Sequence, residues 1–331
     1  MNIKYLKAGS GDSILLQDGA HNVLIDGGND FTYLHDEVTK IFNKGQKLDL
    51  VIVTHHDDDH IKGIILLIKA ALNGEFGEQF IKEIIVNTPK KLKGTLSVPE
   101  EDTLSYRQAR DLEDLLVGYT AKWSIATIDT ADRSVGSMNF KFLSPVQEVL
   151  EIYGSAKGAY LTSDYRCDWD ASMATLEKYL SDESQDNSDS NKTSIVILAE
   201  ADGKRVLLAG DCIPKRLVEI LDDLQKESPE SPVHFDYVKL PHHGSYRSLC
   251  KTALEKMACT KFIISTNSKK HYLPNKRAIL KVAKWVYRKD EDIEFLFNYS
   301  EPIQNLKIKA SELRKYKIKL KQNNEIYGYS T

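Results

Sequence analysis

Thr54-His55-His56-Asp57-Asp58-Asp59-His60 follows directly on the apolar run Leu50-Val51-Ile52-Val53. Residues 50–53 read as a buried strand, being short, rich in β-branched side chains and bounded by polar turn residues. From His55 to His60 come six consecutive side chains able to ligate a metal. At the end of a buried strand they are hard to account for structurally, because each charge taken out of water without a partner costs several kcal/mol. A cation removes that cost; the ordinary alternative is a solvated acidic turn. A tight turn cannot let all six converge. The spacing of His55, Asp57, Asp59 and His60 lets two pairs face two adjacent ions, with His56 and Asp58 pointing away.

The same grammar extends on both sides. Upstream, Ile14-Leu15-Leu16 and Val23-Leu24-Ile25 read as strands, the second closed by Asp26-Gly27-Gly28, and residues 31–43 as a helix. Downstream, residues 193–198, 205–208, 237–240 and 262–265 are strand-like, with helical stretches at 214–226 and 248–257. Two similar αβ halves result. Between them, Leu104, Leu112, Leu115, Leu116 and Tyr119 recur at three- and four-residue steps and predict an amphipathic helix over 100–122, read as an insertion. The polar run 181–192 reads as a surface loop. Alternation at 293–297 and 316–320 predicts strands in a small C-terminal β extension. The expected organisation is a hydrolase-sized domain over 1–285, insertion-rich across 100–190, and an extension over 286–331.

Two further strand ends carry potential ligands. Val206-Leu207-Leu208-Ala209-Gly210-Asp211 ends in a carboxylate whose two oxygens can bridge two cations, although Gly-Asp is also an ordinary strand ending. Val238-Lys239-Leu240-Pro241-His242-His243-Gly244-Ser245 delivers two imidazoles into a glycine turn. Three ligand-bearing strand ends at one sheet edge describe an open αβ active site.

These residues carry a family resemblance. His55-x-Asp57-x-Asp59-His60 followed by Gly63 resembles the ComEC-type variant of the metallo-β-lactamase signature, in which Asp57 stands where most members have a second histidine. Gly9-Ser10-Gly11-Asp12-Ser13-Ile14 resembles that subfamily's early turn, and Leu24-Ile25-Asp26-Gly27-Gly28 the superfamily's first motif. The resemblance implies an αββα sandwich with metals at one edge between two sheets. It places His55 and Asp57 on a first metal, Asp59 and His60 on a second, Asp211 between them, and His242 or His243 completing the second site. Asp26 is implied to orient the metal loop without ligating, Asn191 and Ser194 to shape the pocket floor, and Ser245 to support the final turn. The nine histidines fall at 21, 35, 55, 56, 60, 234, 242, 243 and 271. None between 60 and 234 can complete the first site, so Asp164, Asp168, Asn191 or water is left to do so. His271 stands near the place of a His-Pro pair in relatives and is either a substrate or proton-transfer residue or a surface histidine.

Forty-five Lys and Arg against 48 Asp and Glu leave a formal charge of −3, which gives no global basic field for long duplex nucleic acid. The N-terminus lacks a signal-peptide pattern and no stretch reaches the roughly 18 apolar residues of a membrane span, so a cytoplasmic protein without membrane association is expected. Four cysteines without a Cys-x-x-Cys pair argue against a zinc ribbon. Two divalent ions would lower the pKa of a water, making hydroxide available, and polarise the oxygen under attack; the carboxylate-rich set is harder than a three-histidine site and suits Mn²⁺ as well as Zn²⁺. The reading is a metal-dependent hydrolase, foremost a phosphodiesterase or nuclease acting on nucleic acid, a nucleotide or a small phosphoester. Asp59, His242 and His243 are its catalytic candidates, a histidine donating a proton to the leaving oxygen. A β-lactam-like amide or ester hydrolase, and a catalytically weak nucleotide-sensing or partner-binding module, are the alternatives. Lys90, Lys91 and Lys93 are either a phosphate-tracking patch or a solvated face.

Overall fold

Leu50, Val51, Ile52 and Val53 are all buried because their strand is covered on both faces. Val51 and Val53 face one apolar cluster with Leu34, Val38, Ile61 and Ile64, while Leu50 and Ile52 face another with Phe140, Ile197 and Ile263. The alternation of a strand thereby assigns one side of the sheet to helices and the other to a second sheet. The computed structural model describes residues 1–88, 104–153, 167–181, 184–228, 231–322 and 325–331.

The first sheet runs in the spatial order β17 (Gly328–Ser330), β1 (Asn2–Leu6), β2 (Ile14–Asp18), β3 (His21–Ile25), β4 (Leu48–Val53), β5 (Ile81–Val86) and β6 (Lys122–Ser124). The second runs β16 (Ile318–Gln322), β15 (Ile293–Phe297), β14 (Lys261–Ile264), β12 (Tyr237–Lys239), β10 (Lys204–Leu208), β9 (Val196–Ala201), β8 (Met138–Ser144) and β7 (Arg133–Val135). A separate pair joins β11 (Val233–His234) to β13 (Met257–Ala258). Each large sheet begins with antiparallel neighbours and continues with parallel ones, β3 to β6 in the first and β10 through β12, β14 and β15 to β16 in the second. Parallel strands place their carboxyl ends on one edge, where such folds hold ligands.

Helices cover the outer faces. Thr32–Asn43 and Asp58–Leu72 lie on the first sheet, and Pro214–Glu227 and Lys276–Trp285 on the second, where Leu217, Leu221, Ile279 and Val282 join Phe262 and Phe295. The result is a mixed αβ fold of helices, two central sheets and helices, the αββα sandwich expected.

Several segments differ from their sequence reading. The middle helix spans Leu104–Val117 and packs into the core: Leu112, Leu116 and Tyr119 are buried with the apolar face of Asp58–Leu72. The stretch 248–257 forms helix only over Lys251–Glu255, since Met257 and Ala258 pair with β11. The polar residues near 190 are not surface loop: Ser190 and Asn191 are buried in a short helix, Asp189–Lys192, because their hydroxyl and amide find partners beneath the sheet edge. At the C-terminus, β15 and β16 continue the second sheet in parallel while β17 pairs with β1 of the first. Ile293, Phe295 and Phe297 there are core residues. Lys90, Lys91, Lys93 and Asp164 lie outside the described residues. Among the described residues no helix is long and apolar enough to cross a membrane.

Candidate metal centre

The ends of β4, β10 and β12 meet at one edge. The Ile195 amide donates to the Thr54 carbonyl at 2.9 Å, and the His242 amide to that of Gly210 at 3.0 Å. These bonds bring the residue 55–60 loop, Asp211 and the His242-His243 turn together.

His60 lies in the first turn of Asp58–Leu72 and is fully buried. Its Nδ1 is 2.8 Å from Asp26 Oδ2, while Asp26 accepts the Thr54 amide at 2.7 Å and the Thr54 hydroxyl at 2.5 Å. Asp26 thus fixes the ring, and Nε2 faces Asp211 Oδ1 at 3.3 Å. The helix reaches this position because Gly27 and Gly63 touch backbone to backbone: a Cβ on Gly63 would lie 2.0 Å from the Gly27 carbonyl oxygen.

His243 approaches from the other half. His242 and His243 both have left-handed backbones, with φ of 48° and 52°, ahead of Gly244 at 85°. Such conformations are unfavourable for residues with a Cβ and cluster where a site dictates them. His243 Nδ1 is 3.0 Å from the Ser265 carbonyl, so it donates there and presents Nε2, which is 3.5 Å from Asp59 Oδ2 and 3.8 Å from Asp211 Oδ1. His242 lies at the edge: its Nε2 is 4.0 Å from Asp211 Oδ2 and its Nδ1 3.5 Å from Asp186 Oδ2. Ser245 closes the turn through its amide on the His242 carbonyl at 2.9 Å.

The other end of the cluster holds His55, His56 and Asp57. His55 Nε2 and His56 Nε2 are 3.5 and 3.7 Å from Asp57 Oδ1. His56 does not point away, as its spacing had suggested. Asp57 is extended (φ −70°, ψ 152°) just before the helix, and the chain reverses there so that both imidazoles turn inward. Asp58 does point away, accepting bonds from Gln108 at 2.8 Å and Asn29 at 3.1 Å. Ser190 Oγ is 3.0 Å from both His55 Nε2 and His56 Nε2, and Ser194 Oγ 3.3 Å from His55 Nδ1. Ser190 thus lies against both imidazoles, where Asp168 and Asn191 do not. Asp168 is committed elsewhere, accepting the Lys276 and Arg277 amides at 2.8 Å each at the start of Lys276–Trp285. Asn191 turns to Asp186 at 2.5 Å and His242 Nδ1 at 3.3 Å.

Electrostatics follow from this packing. Burial pulls the His60 pKa down, but Asp211 and Asp26 outweigh it and hold it well above the usual value. Burial likewise opposes ionisation of Asp211, yet His60, His242 and His243 keep its carboxyl well below the usual range. For His242, burial is overcome by Asp211 and Asp186, and its pKa is pushed up to about 9. His271, half-buried and left-handed at φ 57°, is held low by burial and by the charge of His242.

The residues present fit a bound divalent cation. His60 Nε2, Asp211 Oδ1 and His243 Nε2 are buried with no hydrogen-bond partner. Ligand atoms of Asp12, His60, Asp211 and His243 lie within 4.8 Å of one another, as do those of His55, His56 and Asp57. Buried polar atoms are almost always paired, so three orphans aimed at one point indicate a missing positive partner. The outward ring nitrogens of His60 and His243 are tied by a carboxylate and a carbonyl, the arrangement that orients ligating histidines. Sequence reading missed Ser190 and Asp186, whose only signal was their place in a polar run. Asp12 and Lys239 were visible within motifs but had no assigned role.

Residues 6–120 match the family model described as "Metallo-beta-lactamase superfamily". No curated protein sequence matches the chain. Among solved structures, the metallo-beta-lactamase fold protein YhfI from Bacillus subtilis is 11% identical, with 100% of this chain and 98% of that chain covered at a TM-score of 0.47. Zn²⁺-bound PqqB from Methylobacterium extorquens is 12% identical, with 100% and 99% covered at a TM-score of 0.48. At these values neither overlap bears on activity. Residues 6–120 are thus similar to the metallo-beta-lactamase superfamily, and the chain has a mixed αβ fold of two sheets and helices with a candidate metal-ligand set.

Proposed function

We propose that the chain is a metal-dependent phosphodiesterase, related in kind to the stand-alone ComEC-like hydrolases its motifs resemble. The observation that carries the metal half of this reading is the convergence of buried, partnerless His60 Nε2, Asp211 Oδ1 and His243 Nε2. His60, His243, Asp211 and Asp59 would hold one cation, and His55 and Asp57, with His56 beside them, a second. Zn²⁺ and Mn²⁺ both suit such nitrogen and oxygen donors. Bound there, divalent ions supply Lewis acidity, lowering the pKa of a water and polarising the oxygen under attack.

The chain's own groups favour an anionic substrate whose leaving oxygen needs a proton. His242 stands at the accessible edge of the cluster, with Nδ1 3.5 Å from Asp186 Oδ2 and Nε2 4.0 Å from Asp211 Oδ2. Its Nε2 is the atom that would pass a proton to the leaving oxygen. His271, which interacts with His242 and Asp59, adds a polar group at the same mouth, where a phosphodiester could be met. The −3 overall charge favours a nucleotide, single strand or small phosphoester over long duplex.

The test is elemental analysis of purified protein with hydrolysis of bis(p-nitrophenyl) phosphate, with and without Mn²⁺ or Zn²⁺, in wild type and Asp211→Asn. Bound metal and metal-dependent turnover that Asp211→Asn lowers by at least about 100-fold would support the reading, in line with loss of one preorganised charge-stabilising group. Metal without phosphodiester turnover overturns the substrate class and favours a binding role; no metal under replete conditions overturns the ligand set.

A further inference from the structure

Lys239 is a lysine buried to 1% exposure in the middle of the fold. Lysine is almost never fully buried unless paired, and its partner here is Asp12, also at 1%. The ammonium makes a close ion pair with Asp12 Oδ2 and lies 3.3 Å from the Gly210 carbonyl, next to Asp211. Asp12 reaches further. Its amide donates to the Asp59 carbonyl at 3.1 Å, and its Oδ1 stands 3.5 Å from His243 Nδ1. The turn carrying it is pinned by Ser265, whose hydroxyl donates to the Gly11 carbonyl at 2.9 Å while its own carbonyl accepts from His243. A Cβ on Gly11 would lie 1.7 Å from the Asp59 carbonyl oxygen, so the turn packs backbone to backbone against the loop that carries Asp59.

We infer that Asp12 and Lys239 form a buried positioning pair that joins the two halves of the metal centre and aims His243 Nε2 and Asp59 at the same point. The inference rests on the metal-centre reading above and adds two residues outside its ligand set. Asp12 has a carboxylate oxygen within 4.8 Å of the ligand atoms of His60, Asp211 and His243, but acts as their support. One oxygen is taken by Lys239, and the other faces Nδ1, the nitrogen on the far side of the His243 ring from Asp211 and Asp59. Lys239 supplies the balancing charge that lets a carboxylate stand behind His243 in a dry interior, where an unpaired one is strongly disfavoured. One ammonium also holds the Gly210 carbonyl, so the strand end bearing Asp211 is fixed by the group that fixes the His243 support. Removing outer partners of this kind costs metal sites about 10–100-fold in affinity.

The decisive variant is Asp12→Asn with Lys239→Met, which removes both charges together and leaves neither buried alone. Zn²⁺ affinity is read by chelator competition, and the fold of the metal-free protein by circular dichroism. The inference expects a folded protein whose Zn²⁺ affinity is about 10–100-fold weaker, and near-normal affinity in Lys239→Arg, which keeps the pair. Affinity within about twofold of wild type in a folded double variant would overturn it. Should the double variant fail to fold, Asp12→Glu carries the test: it keeps the charge but shifts the carboxylate by one methylene. Its Co²⁺ absorption bands must then shift and its affinity fall, and an unchanged spectrum and affinity overturn the inference. Failure of wild type itself to bind Zn²⁺ or Co²⁺ would instead refute the metal-centre reading.

Discussion

Gly63→Ala separates local preference from tertiary demand. Alanine is favoured over glycine inside a helix by about 0.5–1 kcal/mol, so Asp58–Leu72 taken alone would gain stability. In the folded protein the added Cβ would sit 2.0 Å from the Gly27 carbonyl oxygen and 2.6 Å from its carbon, both well short of ordinary contact. Both neighbours are backbone atoms and cannot rotate away. They are further held by the Gly63 amide on the Gly28 carbonyl and the Gly27 amide on the His60 carbonyl, each at 2.8 Å. Overpacking costs about 1–3 kcal/mol, and backbone on both sides puts this case near the upper end, for a net loss of about 2 kcal/mol. For a chain of 331 residues unfolding entropy sets about 1.4 °C per kcal/mol, so Tm should fall by about 3 °C. The helix must also move outward, and with it His60, one turn away, whereas metal–ligand distances tolerate only about 0.2 Å. We therefore expect Zn²⁺ affinity to fall at least about tenfold. Thermal melts and urea titration of metal-free protein, with chelator competition for the metal, read both effects. A Tm equal to or above wild type with unchanged affinity would refute the close-approach argument.

Three other expectations follow from groups away from the site. Asp168→Ala should destabilise by about 1–2 kcal/mol in urea, because two amides at the start of Lys276–Trp285 lose their acceptor; metal affinity should stay as in wild type. Glu37 is buried between Lys4 at 2.7 Å and Lys40 at 2.6 Å, and although burial opposes its charge, those two lysines hold its pKa below the usual 4.5. Its contribution should be fully present above pH 4.5 and lost as pH falls through the lower folded value, so the stability gap between wild type and Glu37→Gln should be wide at pH 7 and close on acidification; a gap independent of pH would contradict it. Deleting residues 286–331 should leave an insoluble or non-cooperative chain, since β15 pairs with β14 and Phe295 and Phe297 fill the core beside Phe262; a soluble fragment with a sharp melt would show that the tail is separable.

The local parts of this protein were written in its sequence. Apolar runs of strand length, each closed by Gly, Asp or His, mark β4, β10 and β12 and the ligands at their ends, because a buried strand and its terminal turn depend on residues adjacent in the chain. Asp26-Gly27-Gly28 and Gly63 were likewise legible as motifs. What the tertiary structure decided is which distant groups meet. Ser190 lies 135 positions from His55, yet its hydroxyl sits between two imidazoles. Asp12 lies in the turn between β1 and β2 of the first sheet and Lys239 at the end of β12 in the second, and their pairing exists only because the two sheets stack. His56 faces inward through one extended residue, Asp57, a backbone choice that spacing does not encode. Neighbours in sequence share a periodicity that can be read; neighbours across a sandwich share only the interior, and a polar residue shows its role there once burial has left it a single partner.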